Sequence, residues 1–308
     1  MSLPRISIIT PSLNQALTIE RTICSVLDQG YDNLEYLVID GGSHDGSIDT
    51  IGMYEDQLAG WVCEPDTGPA EAINKGIHSA SGDIIGILGA DDLYLPGTLH
   101  RVAEWMGGPS ATPWIVGKAI RVDNLERMTG TVDPVEPTSL LRFLMHDQVT
   151  MPTSAMFFHR RLLEEHGEFA EAMRWAYGYE YCCRLLARGC QPHMACQTLS
   201  VCRQPQAPRT AAQTVRQGIE MIAAAKRHAD RLPLADRYKL WKNCDRRERI
   251  YALAEAELFG MESQKFLWRQ VARHPWWLAT GNMREALLRR TSRAASSDSR
   301  TAPTRRAA

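Results

Sequence analysis

Short β-branched runs alternate with helix-spaced stretches through the first third of the chain, and each run stops at a polar turn. Arg5–Thr10, Glu35–Asp40, Trp61–Glu64 and Asp83–Leu88 read as strands. Ile19–Asp28, with apolar residues at Ile19, Ile23, Val26 and Leu27, reads as a helix, as do Ser47–Leu58, Ala70–Ser79 and Leu93–Met106. Strand–helix alternation of this kind builds parallel βαβ units, so the fold class is α/β. In such sheets ligands bind beyond the carboxyl ends of the strands, which makes the residues after each run the ones that carry function.

Those residues are polar, and three of the four turns carry aspartate. Thr10-Pro11-Ser12 closes the first run, Asp40-Gly41-Gly42-Ser43-His44-Asp45 the second, Glu64-Pro65-Asp66 the third and Gly89-Ala90-Asp91-Asp92 the fourth. One such aspartate is an ordinary turn or helix-cap residue. Several converging on one sheet edge make a negative pocket that is costly unless a cation or hydrogen-bond donors fill it.

Charge divides the chain. From Arg203 onward 22 Lys and Arg stand against 10 Asp and Glu, a surplus of +12, while the residues before carry −13. The acidic body argues against nucleic acid as the ligand. The basic third suits an anionic bilayer, a phosphate-bearing partner or simply a solvated helical face. No stretch approaches the roughly 18 consecutive apolar residues of a membrane-spanning helix. The N-terminus lacks a charged-then-apolar leader, so a cytoplasmic protein is expected. Eight cysteines without a C-x-x-C pair predict buried, reduced thiols rather than a zinc site.

Four ordered segments resemble the inverting family 2 glycosyltransferases of the GT-A fold. They are ITPSLNQALTIERTICSVLDQGYDNLEYLVIDGGSHDGS, EPDTGPAEAINKGIHSASGDIIGILGADDLYLPGTL, MFFHRRLLEEHGEF and YEYCCRLLARG, within residues 4–205. The resemblance implies a Rossmann-like, mostly parallel sheet flanked by helices. It also implies transfer of a sugar from a nucleotide diphosphate donor to a glycan or lipid-linked acceptor, with inversion and with Mn2+ or Mg2+ as cofactor. Polysaccharide or glycolipid synthesis is the expected setting.

The site residues follow from the same resemblance. Asp91 matches the metal-binding end of the family's D-x-D motif, and Asp92 is expected to orient it or to contact the sugar or diphosphate. Gly89 departs from the pattern, standing where that motif has Asp or Asn. Asp40 looks like the base-recognition aspartate, and Asp66 is expected near the nucleoside. Main-chain groups of Thr10, Pro11 and Ser12 are expected to meet the nucleobase. Lys75, in N-K-G, is a candidate for the diphosphate or an exposed helix lysine, and Asp45 reads as a cap for the following helix. An inverting transfer needs a general base. The family's aspartate falls on Gly178, leaving Glu180 as the carboxylate of its segment, either reaching back as base or facing away as a partner for Arg184. Asp147 is the fallback.

Further along, Trp114–Ala119 reads as a strand, Thr138–Met145 as a short helix and Ser154–Phe158 as a buried run. Tyr179–Arg188 reads as a helix closed by Gly189. The expected organisation is a catalytic domain over 1–205, a helical, basic region over 206–290 and a disordered tail over 291–308. Trp276 and Trp277 beside His274, with Arg284, Arg289 and Arg290, suit either packing onto the core or a membrane interface, with packing preferred. The interface reading would place the protein peripherally at the inner face of the plasma membrane. Two other classes compete. Gly89 and Gly178 fit a non-catalytic homologue that binds nucleotide or glycan as a scaffold. A dinucleotide oxidoreductase is disfavoured, since no G-x-G-x-x-G follows the first strand.

Overall fold

The computed structural model describes residues 3–108, 112–146, 151–203, 211–259 and 262–287. The expected tail over 291–308 and the fallback Asp147 lie outside these residues.

The predicted alternation is realised as β1 (Ile6–Ser12), α1 (Ile19–Leu27), β2 (Leu34–Asp40), α2 (Ser47–Gly52), β3 (Gly60–Cys63), α3 (Pro69–Ser79) and β4 (Ile84–Ile87). Next come β5 (Leu93–Tyr94), α4 (Thr98–Met106), β6 (Trp114–Val122), β7 (Met128–Val132), α5 (Leu140–Met145), β8 (Met156–His159) and α6 (Arg160–His166). The described chain continues with α7 (Tyr177–Ala187), β9 (His193–Arg203), α8 (Ala211–Arg227), α9 (Leu234–Phe259) and α10 (Glu262–Arg273).

The strands form one sheet in the order β3-β2-β1-β4-β8-β6-β9-β5, with β7 on β6. β1 to β4 are mutually parallel, and β8 enters antiparallel between β4 and β6. β6 and β9 run parallel to each other and in the same sense as β1. The strand order reverses at β1/β4, so a crevice opens beyond the carboxyl ends of those strands.

Alternating side chains bury both faces of the sheet. Ile6, Ile8, Val38 and Ile84 pack with Ile19, Ile23 and Val26 of α1. Ile9, Ile39, Ile85 and Ile87 pack with Ala72, Ile73 and Ile77 of α3 on the other face. Gly76 allows this second contact, because a Cβ there would collide with Ile9. Met221 and Ile222 of α8 and Leu240 and Cys244 of α9 belong to that same apolar cluster. Helices α8 and α9 of the expected C-terminal region are thus partly built into the core of the sheet. The far end of that region has a smaller core of its own, including Leu267, Val271, Trp277 and Met283.

Several boundaries differ from the sequence reading. The helix expected from Leu93 starts at Thr98. Leu93–Tyr94 pairs with β9 instead, and Gly97 takes a left-handed φ of +77° before the helix begins. α2 ends at Gly52 rather than Leu58. β9 passes through Cys196 and Cys202, a stretch in which no strand was expected. All eight cysteines are free, but only Cys182, Cys183 and Cys244 are fully buried, while Cys63 and Cys196 are exposed. Among the described residues no helix is long and apolar enough to cross a membrane.

Candidate active site

A cavity of about 650 Å3 lies beyond the carboxyl ends of β1 and β4. Pro11 and Ser12 from β1, Asp66 from the β3–α3 turn, and Gly89 and Asp91 from the turn after β4 form one side. Thr153, Arg174 and Tyr177 to Tyr179 form the other, and Gln213 and Gln217 of α8 reach in from the C-terminal helices.

Thr10 to Ser12 belong to β1 rather than to a loop, since Ser12 still pairs with Asp40. Pro11 and Ser12 line the cavity, whereas Thr10 is buried and its hydroxyl meets the Tyr36 hydroxyl at 3.1 Å. The Ser12 hydroxyl is buried and makes no hydrogen bond within the protein. A buried hydroxyl in a cavity wall with no partner is available to a ligand. Asp66 faces the same space, and burial raises its carboxyl above the usual range. Gly41 is held bare by this carboxylate, because a Cβ there would collide with it.

Asp40 does not reach the cavity. Its Oδ1 accepts from the Gly42 and Ser43 amides at 3.0 and 2.7 Å, and its Oδ2 accepts from the Ser43 hydroxyl at 2.7 Å. The carboxylate is fully buried and folds its own turn, which corrects the expectation that it meets the base. Asp45 also holds its own turn, accepting from the amides of Ser47 at 3.1 Å and Ala16 at 3.0 Å, but it is not the helix cap expected of it: Gly46 is the N-cap of α2. Lys75 is also turned away, held by Glu64 at 2.9 Å and Glu71 at 3.0 Å, so it is not a diphosphate ligand. The N-K-G segment has a structural use instead: Asn74 bonds both the amide and the carbonyl of Phe169, at 3.0 and 2.9 Å.

Asp91 lines the cavity and Asp92 does not. The Arg203 amide donates to Asp92 Oδ1 at 3.1 Å, and the Asp92 amide donates to the Gly89 carbonyl at 2.9 Å. Burial and the adjoining Asp91 carboxylate push the Asp92 carboxyl up to about 8. Asp92 therefore braces the turn that presents Asp91, rather than contacting sugar or diphosphate. A Cβ at Gly89 would sit 3.0 Å from Asp91 Oδ1, so the bare residue gives that carboxylate its room.

Glu180 is absent from the cavity. It is 1 % exposed and faces the opposite side of α7, where its carboxylate is paired with Arg184 and lies 3.3 Å from His228 Nε2 and 3.5 Å from Arg227. Burial raises its pKa, but the hydrogen bonds from His228 and Arg184 outweigh this and the net shift is downward. Such a carboxylate is a poor proton acceptor, and it stands on the wrong face to meet a substrate in the cavity. Gly178 does line the cavity, beside Thr153.

Arg174, Gln213 and Gln217 were not anticipated from sequence. Arg174 is the one cationic side chain among the described residues of the cavity wall. The signal for the glutamines was their i, i+4 spacing, which sets both on one face of a helix.

The sequence profile of glycosyl transferase family 2 matches residues 7–167. The chain belongs to that family. It is 36% identical over 172 residues to an uncharacterized glycosyltransferase of Mycobacterium tuberculosis, spanning 54% of this chain and 63% of that protein. It is 32% identical over 137 residues to a PGL/p-HBAD biosynthesis glycosyltransferase of Mycobacterium bovis, spanning 43% and 54% respectively. The match thus covers less than two thirds of each of these relatives. Among solved structures, S. aureus TarS 1–349 in complex with UDP-GlcNAc superposes with a TM-score of 0.65 at 15% identity, over 92% of this chain and 81% of that one. The mannosyltransferase PcManGT from Pyrobaculum calidifontis, in complex with GDP-Man and Mn2+, superposes with a TM-score of 0.55 at 21% identity, over 94% and 87%. These likenesses show the fold, an open mixed sheet of GT-A type with C-terminal helices packed onto it.

Proposed function

We propose that this protein is a glycosyltransferase that moves a sugar from a nucleotide diphosphate donor to an acceptor hydroxyl with inversion. One arrangement carries the reading: Asp91, the unpartnered Ser12 hydroxyl and Arg174 face a single cavity at the point where the strand order reverses. The donors bound by the two structural neighbours, UDP-GlcNAc and GDP-Man, support a nucleotide sugar as ligand here.

Each wall has work to do. Ser12 and Asp66 offer a hydroxyl and a carboxyl to the nucleoside. Arg174 brings positive charge to a diphosphate whose negative charge grows as the sugar leaves. The helix α8 glutamines offer amides suited to sugar hydroxyls.

A divalent ion, Mn2+ or Mg2+, fits the donor set. Asp91 is the carboxylate that would hold it, and no group of three or more metal-ligating side chains exists among the described residues. One carboxylate suits a hard ion that completes its coordination with phosphate oxygens and water. When bound, it supplies further positive charge to the leaving diphosphate.

The acceptor is proposed to be a glycan or lipid-linked sugar in polysaccharide or glycolipid synthesis, in keeping with the relative named for PGL/p-HBAD biosynthesis. Peripheral attachment to the inner, anionic membrane face fits this. Tyr238, Trp241 and Trp276 form a continuous exposed aromatic surface, with ring centroids 6.1 and 5.8 Å apart, and the Lys242 ammonium sits over Tyr238. Exposed aromatics beside cations suit a bilayer interface.

A second reading has its own observation. Gly178 stands where the family's base is expected and Glu180 faces away, which favours a scaffold that binds donor without turning it over. Calorimetry with UDP and GDP, in manganese and in chelator, tests the first reading. Affinity should fall at least tenfold on chelation, and Asp91→Asn should remove the difference. Equal affinity in both conditions overturns the metal role. Tight, metal-dependent donor binding with no sugar release at saturating acceptor would establish the scaffold.

A further inference from the structure

A second cavity, of about 360 Å3, lies on the other side of α7. Its wall holds Arg184 from α7, Arg188 just past its end, Arg227 from the end of α8, and Arg231 from the turn that follows. Two carboxylates, Glu180 and Asp230, and two imidazoles, His166 and His228, complete the polar lining. Four guanidinium groups thus face two carboxylates, a surplus of two positive charges before either imidazole is counted.

Internal pairing does not account for that surplus. The buried Glu180 is already compensated by Arg184, which bonds both of its oxygens and also donates to the carbonyls of His166 and Glu168, and by His228, whose Nε2 lies 3.3 Å from Oε1. Arg188 is turned toward the end of α6, bonding the Glu165 carbonyl at 3.3 Å and His166 Nδ1 at 3.2 Å. Arg227 only grazes Glu180 at 3.5 Å and is half exposed. Arg231 has its nearest carboxylate at 3.9 Å, on its exposed neighbour Asp230. Arg227 and Arg231 therefore present guanidinium forks to the cavity mouth with only weak partners of their own. Such forks match the oxygen geometry of phosphate.

We propose that this cavity is an anion site that takes a phosphate or phosphodiester group, separate from the donor cavity across α7. Two sources share that chemistry: the phosphodiester headgroup of an anionic lipid and a soluble phosphate compound. Arg184 and Glu180 form the fixed floor, and Arg227 and Arg231 close over the ligand.

The probe is inorganic pyrophosphate, titrated calorimetrically in chelator into full-length protein. Arg227→Gln with Arg231→Gln tests the site, since both side chains are half exposed and their loss leaves the core intact. Arg174→Gln is the control for the donor cavity. Arg174→Gln, which removes the cation of the donor cavity, should retain saturable pyrophosphate binding, and the double variant should show this component weakened at least tenfold with its melting temperature kept. Equal binding by the double variant, loss of binding in Arg174→Gln, or no saturable binding to wild type overturns the proposal. Vesicles of phosphatidylglycerol and of phosphatidylcholine separate the sources. Phosphatidylglycerol binding that the double variant loses, and that pyrophosphate displaces, identifies the lipid headgroup. Vesicle binding unaffected by the double substitution assigns the same site to a soluble phosphate.

Discussion

Gly178 and Glu180 lie two residues apart on α7 and face two different cavities. Two residues along a helix turn the side chain by about 200°, so both cannot serve one substrate. The carboxylate ties α7 to the end of α8 through His228 and Arg227, while Arg184 shields it within α7.

Replacing Glu180 is therefore expected to damage stability before chemistry. Glu180→Ala leaves the largely buried Arg184 without its carboxylate, a loss of about 3 kcal/mol. Glu180→Gln, which keeps an acceptor, should cost less and leave nucleotide affinity and turnover near wild type. The pH dependence follows from the lowered pKa. The native carboxyl holds its charge below the usual glutamate value of about 4.3, so its stabilisation is complete above that pH and is lost as pH falls through the folded value. Melting curves between neutral pH and pH 3 should show Glu180→Gln losing less stability than wild type. A hundredfold fall in turnover in a stably folded Glu180→Gln would instead return the residue to the role of base.

Gly178→Asp tests the other side of the same helix. A Cβ there would sit 2.8 Å from Thr153 Oγ1, so the substitution is best paired with Thr153→Ala. A positioned general base contributes roughly 10²–10⁴ in rate. The double variant is expected to raise sugar transfer at least tenfold over wild type, measured as nucleotide diphosphate release with acceptor present. No increase, with donor affinity retained, would show that proton removal is not what limits the wild-type protein.

The fold was legible because its parallel half is written in local patterns. Ile6, Ile8 and Ile9 mark β1, and the four predicted strands fall within or beside β1 to β4. β9 was hidden because its pairing with β6 joins residues far apart in sequence, and because it buries polar Ser200 against Ser154 instead of presenting a regular apolar face. The site was legible by position but not by direction. Asp66 and Asp91 face the cavity, while Asp40 is bound to its own turn, Lys75 to Glu71 of its own helix and Glu64 before it, and Asp92 to the Arg203 amide at the end of β9. A sequence places a carboxylate at a strand end, but the hydrogen bonds that decide where it points come from neighbouring turns. The spacing of Gln213 and Gln217 sets them on one helix face, but nothing local shows that α8 folds back over the cavity.

Glu220 on α8 holds that fold-back in place. Its carboxylate accepts from the amides of Arg174, Trp175 and Ala176 at 3.2, 2.6 and 2.8 Å, just ahead of α7. Removing it orphans these donors, and Glu220→Ala is expected to cost about 2 kcal/mol. Because Arg174 and Trp175 line the cavity, nucleotide affinity should fall several-fold as well. Denaturant midpoints and calorimetry on the same preparation check both. Lost stability with unchanged affinity would show that the segment does not shape the donor cavity.

The paired tryptophans near the C-terminus divide the two roles considered for them. Trp277 is 1 % exposed and its indole donates to Asp245 at 2.8 Å, which is packing. Trp276 also bonds Asp245, at 2.9 Å, yet it is 46 % exposed and continues the surface of Tyr238 and Trp241. Trp241→Ser with Trp276→Ser should therefore leave the melting temperature within a few degrees of wild type. Co-sedimentation with anionic vesicles at low salt should fall at least fivefold. Raising salt to 1 M, where the Debye length is about 3 Å, should weaken wild-type binding through the cations beside the rings. It should not abolish that binding, because inserted indoles are indifferent to screening. Vesicle binding that is identical in wild type and the double variant would show that this aromatic surface does not meet a bilayer.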